Sequence, residues 1–593
     1  MPVLNKVKFL WLLVSLVLAL GLVVTACGGD DEEPAPTRPP APTAAPTTAA
    51  TSAPTATRPA ATAVPAPTAT PVPPTPTPAP QFKRGGILKS RIEFTPSSAP
   101  HWNLLQGPIN AAYPLYQPVL STLVQLNMTN LNIDPDLAQS WTIGADGKTL
   151  TFRIRQGVTW HDGSPLTAAD IKYNWDVMIK DSLGFTSHFK ALLSAAQNTR
   201  VVDASTFEIT LKQPRNSFFR TMTHAVMFNY SPRVSVQELQ AGKIVGTNAY
   251  RWAGLEKDRK VELRAYPGYW ERGADGRPLP YFDGIDWFVI TDSTAHIAAF
   301  RTGQIDAFDH INATALVGQI DTIKRDIPGL VSGAGYDSWR MLLLKNRGAL
   351  VNPSVRKAIQ IGLDRGSFVQ AGMGGAGLPS GYASTPGDVL GNWAPTMAEQ
   401  QRLPGMNPAT KQQDIAEAER LLSTAGFTAA SPLKITMYVV SGGVFATEAE
   451  AAATLLNRIR GLSLAVATEP SAVHNQRLIL GGDFDIIYRP FAQAIDDPSQ
   501  TIGLFWTTGA SRNYGGWSDA QIDAMYTEQE STTDEARRKR IVADLQTRLY
   551  DSAYYVVLAW AATPWIRKPE MRNMPLGGSF VNRGRYDKTW IDK

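Results

Sequence analysis

The sequence predicts an α/β protein divided into two or more domains, and three observations lead there. The chain has 593 residues, 44% of them hydrophobic, which is enough to bury more than one core. Stretches with period-2 alternation, such as Leu150, Phe152 and Ile154 set against Thr151, Arg153 and Arg155, are interleaved with amphipathic helical stretches such as Asp414 to Gly426. A single cysteine, Cys27, excludes intramolecular disulfides and multi-cysteine metal sites, so packing alone must hold the folded part. The charge excludes one class of partner. Its 57 basic and 52 acidic residues are scattered, with no basic run or aromatic-basic stripe, so no nucleic acid is expected.

The chain opens with Lys6 and Lys8 before an apolar run from Phe9 to Val24. At about 16 residues the run suits the hydrophobic region of a secretory signal and falls short of the roughly 20 a spanning helix needs. Its end, Val24-Thr25-Ala26-Cys27, resembles a bacterial lipobox. That resemblance implies removal of residues 1–26, acylation of Cys27 and an anchor in the bacterial cell membrane. The protein would then be extracytoplasmic, in the periplasm or on the cell surface. Residues 27–81 form a Pro/Thr/Ala-rich tether. Such a composition has little to bury and stays disordered with polyproline II bias. Between Pro34 and Pro80 its reach runs from roughly 40 Å as a coil to about 145 Å fully extended.

The folded body begins at Phe82 with the strand-like GGILKSRIEF, and Ala111 to Leu126 follows as a loosely helical stretch. The most informative segment is LAQSWTIGADGKTLTFRIRQGVTWHDGSPLTAADIKYNW, Leu137 to Trp175. It reads as hairpin, turn and helix. Asp146-Gly147 supplies a turn pair that tolerates positive φ, Asp162-Gly163 a second, and Thr167 caps a helix with Asp170 three residues on. Trp141, Phe152, Trp160 and Asp162 read as core or turn residues.

This order of fixed residues, spread over two turns, a strand and a cap, resembles the signature segment of the family 5 extracellular solute-binding proteins of ABC importers. The family includes dipeptide-, oligopeptide- and nickel-binding proteins. The resemblance implies a two-lobed, periplasmic-binding-protein-like type II fold (class C) with an extra subdomain in the first lobe. Its expected division is lobe I at 84–128, 246–339 and 556–593, the subdomain at 129–245, and lobe II at 340–555. It also implies that the loop after the first strand faces the ligand cleft, which makes Ser97, His101 and Trp102 pocket candidates.

Later segments keep the family's order. RVVDASTFEITLKQP reads as a turn and strand with Phe207, Ile209 and Leu211 alternating. Gly246-Thr247-Asn248-Ala249-Tyr250 stands where the family shows Gly-Thr-Gly-Pro-Tyr, and Asn248 is expected to take the glycine's positive φ. Tyr269-Trp270 and Gly303-Gln304-Ile305-Asp306 follow in order, and MLLLKN from Met341 resembles the strand opening the second lobe. In the next helix Val355, Ile359, Leu363 and Phe368 share a face that leaves Arg356 and Lys357 outside it. Arg356 and Asp364 read as structural. The last strand, in YYVVLAWAATPWI, is expected to return to the first lobe, and such crossings form a hinge.

Catalytic chemistry is not visible. Gly372 to Gly377 fits GxGxxG but follows a helix, so no dinucleotide is expected and the glycines read as a mobile loop. No nucleophile motif or metal-ligand histidine pair occurs, and His474 reads as a surface residue. The remaining cluster, Gly481 to Asp519, has the makeup of a recognition surface, with Arg489, Phe491, Asp496, Asp497, Trp506, Arg512, Asn513, Tyr514 and Trp517. All of these except Arg512 are taken as ligand-binding candidates. In peptide-binding relatives an aspartate four residues before a proline pairs with the ligand's α-ammonium. Here Ala494, four before Pro498, holds that place, and Phe491 keeps the aromatic three residues earlier. The expectation is therefore a monomeric, non-enzymatic receptor without cofactor or metal. It would capture a peptide-like or other small organic solute by cleft closure and deliver it to a membrane permease. A sugar or metal chelate as ligand, or a sensor or enzyme on the same scaffold, stays open.

Overall fold

The computed structural model describes residues 82–92, 113–127, 130–180, 193–224, 227–240, 243–256, 258–309, 314–384, 393–479, 482–493, 495, 497–574 and 585–592. Ala79 to Lys593 forms one compact unit. Among the described residues no helix is long and apolar enough to cross a membrane.

Two large hydrophobic cores organise the unit. The first draws on Leu88 to Trp287 and returns at Met571 to Trp590. It contains a four-stranded sheet in which Ile87–Ile92 runs parallel to Gly284–Val289, followed by Lys260–Ala265 and Tyr250–Glu256 in antiparallel order. Beside it stands an all-antiparallel sheet of Ala138–Ile143, Thr149–Ile154, Thr206–Leu211 and Ala196–Asp203. The expected hairpin closes at Asp146, whose Oδ1 accepts the amides of Lys148 and Thr149, with Gly147 at φ +65°. Leu150, Phe152, Ile154, Phe207, Ile209 and Leu211 are all buried, as the alternation required. The helix Ala168–Ile179 starts with the predicted Thr167–Asp170 capping box. It buries Trp175 against Phe207 and Phe218.

The second core runs from Trp339 to Ala561. Its sheet has the order Ala307–Asp309, Tyr555–Arg567, Val331–Leu344, Ile486–Ala492, Leu433–Val440, Leu462–Glu469, and Gly377–Pro379 adds to Tyr555–Arg567. Val331–Leu344 and Tyr555–Arg567 are its longest strands, 14 and 13 residues, and pair antiparallel from Val331–Arg567 to Leu343–Tyr555. One end of this ribbon carries Ile566 in a small cluster with Ile297, Phe300, Ile305 and Ile323, against which Phe288 of the first sheet and Ile290 just after it pack. The other end is the centre of the second core. The ribbon therefore links the second core to this cluster beneath the first sheet, and its register shifts at Tyr336/Ser338 and Arg340/Met341, where irregular pairing lets a strand bend.

Four local expectations are corrected. Asn248 does not adopt positive φ. Its amide instead donates to the carbonyls of Gln117 and Leu120, while the close approach falls on Gly246, where a Cβ would lie 1.9 Å from the Val119 carbonyl oxygen. Arg356 is buried, donating to the carbonyls of Leu350, Val351 and Ser552. The Gly372–Gly377 run is no mobile loop. Gly374, at φ +58°, ends the helix Arg365–Met373, and Gly377 pairs with Ala561. His474 is buried in the helix Ser471–Ile479 with its Nδ1 3.1 Å from Glu469 Oε1.

Candidate functional site

The recognition segment enters the second core as the strand Ile486–Ala492. Antiparallel pairing sets Arg489 opposite Met341 and Phe491 opposite Trp339. Directly opposed residues share a face, so Arg489 and Phe491 lie on the side of Met341 and Trp339. Tyr488 takes the other side, where its hydroxyl donates to Glu448 Oε2 at 2.7 Å. Glu448 also receives Arg340 Nε at 2.8 Å, so the second face is closed by a buried ion pair.

Phe491 meets an aromatic wall. Its ring centroid lies 4.7 Å from Phe505 and 5.5 Å from Trp339, both edge-on, and Trp339 stacks on Trp506 at 6.0 Å. Arg512 extends over Phe491 with its guanidinium carbon 4.7 Å from the ring centroid.

Several sequence candidates prove to be structural. Asp497 is fully buried and caps the helix Pro498–Phe505 through the Ser499 amide. Arg538 donates to both its oxygens, at 2.8 and 2.9 Å. Burial alone would raise this carboxyl, but the Arg538 guanidinium and the Ser499 contacts hold it below the ordinary carboxylate value. No lone pair is left facing a cleft, which corrects its place among the ligand contacts. Asn513 is likewise consumed, by its own loop and by Tyr555 of the ribbon. Its amide donates to the carbonyls of Thr507 and Trp517, and its Oδ1 accepts from the Trp517 amide and the Tyr555 hydroxyl. Trp517 is buried, donates its indole N–H to the Leu344 carbonyl and stacks on Tyr554 at 4.5 Å. Trp506 is buried in the aromatic wall. Ser97, His101, Trp102, Asp496, Ala494 and Cys27 lie outside the described residues.

Arg489, Phe491 and Tyr514 remain, and Arg512 joins them. Both arginines are half-buried. Arg512 was visible in the sequence as part of the loop, but nothing there showed that the loop folds it back over Phe491. Among the described residues no cluster of His, Cys, Asp or Glu is suited to hold a metal ion.

Two α/β cores joined by a shared ribbon, with an aromatic and cationic strand end at their junction, are the design of a two-lobed solute-binding protein. The chain belongs to the bacterial extracellular solute-binding proteins, family 5, whose middle-region model matches residues 132–513. The periplasmic oligopeptide-binding protein OppA of Escherichia coli is 23% identical over 458 residues, 73% of this chain and 81% of that one. Among solved structures, NikA from Brucella suis in complex with Fe(III)-EDTA superposes with a TM-score of 0.71 at 21% identity, covering 85% of this chain and 100% of NikA. DppA from Helicobacter pylori with the peptide STSA gives 0.68 at 19%, covering 86% and 99%. The fold is thus the expected type II binding-protein fold, and the protein is a solute-binding protein.

Proposed function

We propose that the protein is the lipid-anchored, extracytoplasmic receptor of an ABC importer. It captures a small organic solute between its lobes and presents the closed form to a membrane permease. The observation that carries this reading is the Val331–Leu344/Tyr555–Arg567 ribbon. It runs from the second core to the small cluster on which Phe288 of the first sheet packs, and its paired irregularities provide a hinge about which the lobes close on a ligand. The lobes divide near the boundaries expected from sequence, with Val556 to Ala561, which pack in the second core, moved from the first lobe to the second. Cys27 carries the anchor and residues 27–81 the tether. Related proteins are named for oligopeptide and glutathione binding, and a structural neighbour holds Fe(III)-EDTA. The ligand class here is accordingly a compact polar solute.

The test is native mass spectrometry of residues 82–593 purified from rich medium, with gentle denaturation to release whatever is bound. Small-angle scattering then compares the emptied and refilled protein. A released solute whose return contracts the particle supports the receptor. A protein that carries nothing and never changes shape with any solute is not one.

A further inference from the structure

Buried guanidinium groups in this protein are almost always matched. Arg538 meets Asp497, Arg340 meets Glu448, and Arg356 and Arg365 are satisfied by main-chain carbonyls and, for Arg365, the Gln360 side chain. Arg489 and Arg512 break this pattern. Both are half-buried, and among the described residues neither has a hydrogen bond or a carboxylate within ion-pair distance. Arg489 and Phe491 are two residues apart on one strand, on one face and roughly 7 Å from each other. Arg512 lies over that same Phe491 ring. Two like charges are therefore held against one aromatic floor with no counter-charge among the described residues.

The electrostatics agree. Burial pushes both guanidinium groups down from their ordinary value, and the charge of Arg489 pushes Arg512 down further. The Tyr514 phenol acts on both in the opposite sense. Leaving water without a partner is costly for a cation, and more so for two together. Guanidinium groups match the forked geometry of carboxylate and phosphate oxygens, and a phenol adds one donor beside them.

We propose that Arg489 and Arg512, floored by Phe491 and flanked by Tyr514, form an oxyanion subsite that receives a carboxylate or phosphate group of the transported solute. The proposal rests on the receptor reading and narrows it: the cargo carries negative charge at the second-lobe wall of the cleft.

The test uses the full chain with citrate and inorganic phosphate as probes. Binding is followed by calorimetry and thermal shift at low ionic strength in the wild type, Arg489→Gln, Arg512→Gln and the surface control Arg301→Gln. Unliganded melting shows that each variant folds. The expected result is that at least one probe binds the wild type and the control, and binds each subsite variant at least about tenfold more weakly. Preference for citrate assigns a carboxylate, preference for phosphate a phosphoryl group. Anion binding unchanged in both subsite variants overturns the inference, as does a neutral or cationic solute released in native mass spectrometry, which leaves the receptor standing. If the wild type neither carries a solute nor responds to either probe, both readings fall.

Discussion

Removing the Arg538 guanidinium tests whether Asp497 belongs to the structure or to the ligand. In Arg538→Met the Asp497 carboxylate stays fully buried and keeps only its contacts with Ser499, having lost Arg538 from both oxygens. Breaking one partner of a buried pair costs about 3–5 kcal/mol, because the remaining charge is uncompensated. In Asp497→Asn/Arg538→Met the charge is gone and an amide oxygen still caps the Ser499 amide, so the double variant should lose about 1–2 kcal/mol. The second substitution thus restores roughly 2–3 kcal/mol of what the first removes. Urea unfolding followed by tryptophan fluorescence measures it. The pH dependence supplies an independent sign. In the wild type the folded carboxyl lies below its unfolded value, so its stabilisation is present above about 3.9 and is lost as pH falls through the folded value. In Arg538→Met burial pushes the carboxyl up instead, so part of the lost stability returns on acidification below neutrality. An Arg538→Met protein as stable as the wild type, or one that loses solute capture without losing stability, would refute a structural Asp497.

Three further outcomes follow from the coordinates. His161 accepts the Gly246 amide at Nδ1 and meets the Asn248 carbonyl through Nε2, and burial lowers it to about 4; buried His224 is lowered to about 3. The unfolded chain takes these protons near 6.5 and the fold refuses them. Acidification from pH 7.5 to 5 should therefore cost about 2 kcal/mol per histidine, which thermal melts of the wild type and of His224→Gln will show. Gly246→Ala places a Cβ 1.9 Å from the Val119 carbonyl oxygen and should cost more than about 3 kcal/mol, read as lost soluble yield or a lowered melting point. Glu530→Gln weakens the contacts that the Ser217 amide and hydroxyl make with its Oε2 and removes the counter-charge of Arg215; the unliganded particle should expand in small-angle scattering, with a stability loss of about 1–3 kcal/mol in urea unfolding.

The legible parts of this fold were those fixed by short-range rules. The Asp146 turn, the Thr167 cap and the alternation of Phe207, Ile209 and Leu211 each depend on residues within a few positions, and each appears as expected. What the sequence concealed depends on partners far along the chain. Arg356 looked exposed by helical period, but the carbonyl of Ser552, 196 residues away, draws it inward. Asp497 resembled a ligand anchor until Arg538, 41 residues on, closed over it. The Gly374–Gly375 pair looked like a loop because its function, ending a helix so that Gly377 can pair with the ribbon, requires a strand that comes 180 residues later. The candidate site shows the same division. Its aromatic and charged composition was evident in one segment, but which charges are neutralised and which are left over is a property of the folded pair list.

That pair list also explains how closure stays reversible. The ribbon cannot break without unfolding the second core, so it keeps its covalent and paired link to the cluster under the first sheet in every state. Beyond the ribbon, polar contacts between the bodies gather at one place: Asn216 with the carbonyls of Gln529, Glu530 and Thr532, and Ser217 and Arg215 with the Glu530 carboxylate. Beside them a cavity of about 410 Å³, lined in part by Lys212, Arg215, Tyr526 and Glu530, leaves the interface incompletely packed. At about 1 kcal/mol net per hydrogen bond this latch contributes about 4–5 kcal/mol. That is small enough for a ligand to decide the outcome, since about 5.5 kcal/mol of differential binding carries a two-state equilibrium from 1:99 to 99:1. Arg489 and Arg512 set the direction. Closing over them without an anion strips water from two like charges, whereas closing with one exchanges that water for charge-assisted hydrogen bonds. The empty cleft is thereby biased open and the filled one closed, a preference that lets a permease distinguish loaded from empty receptors.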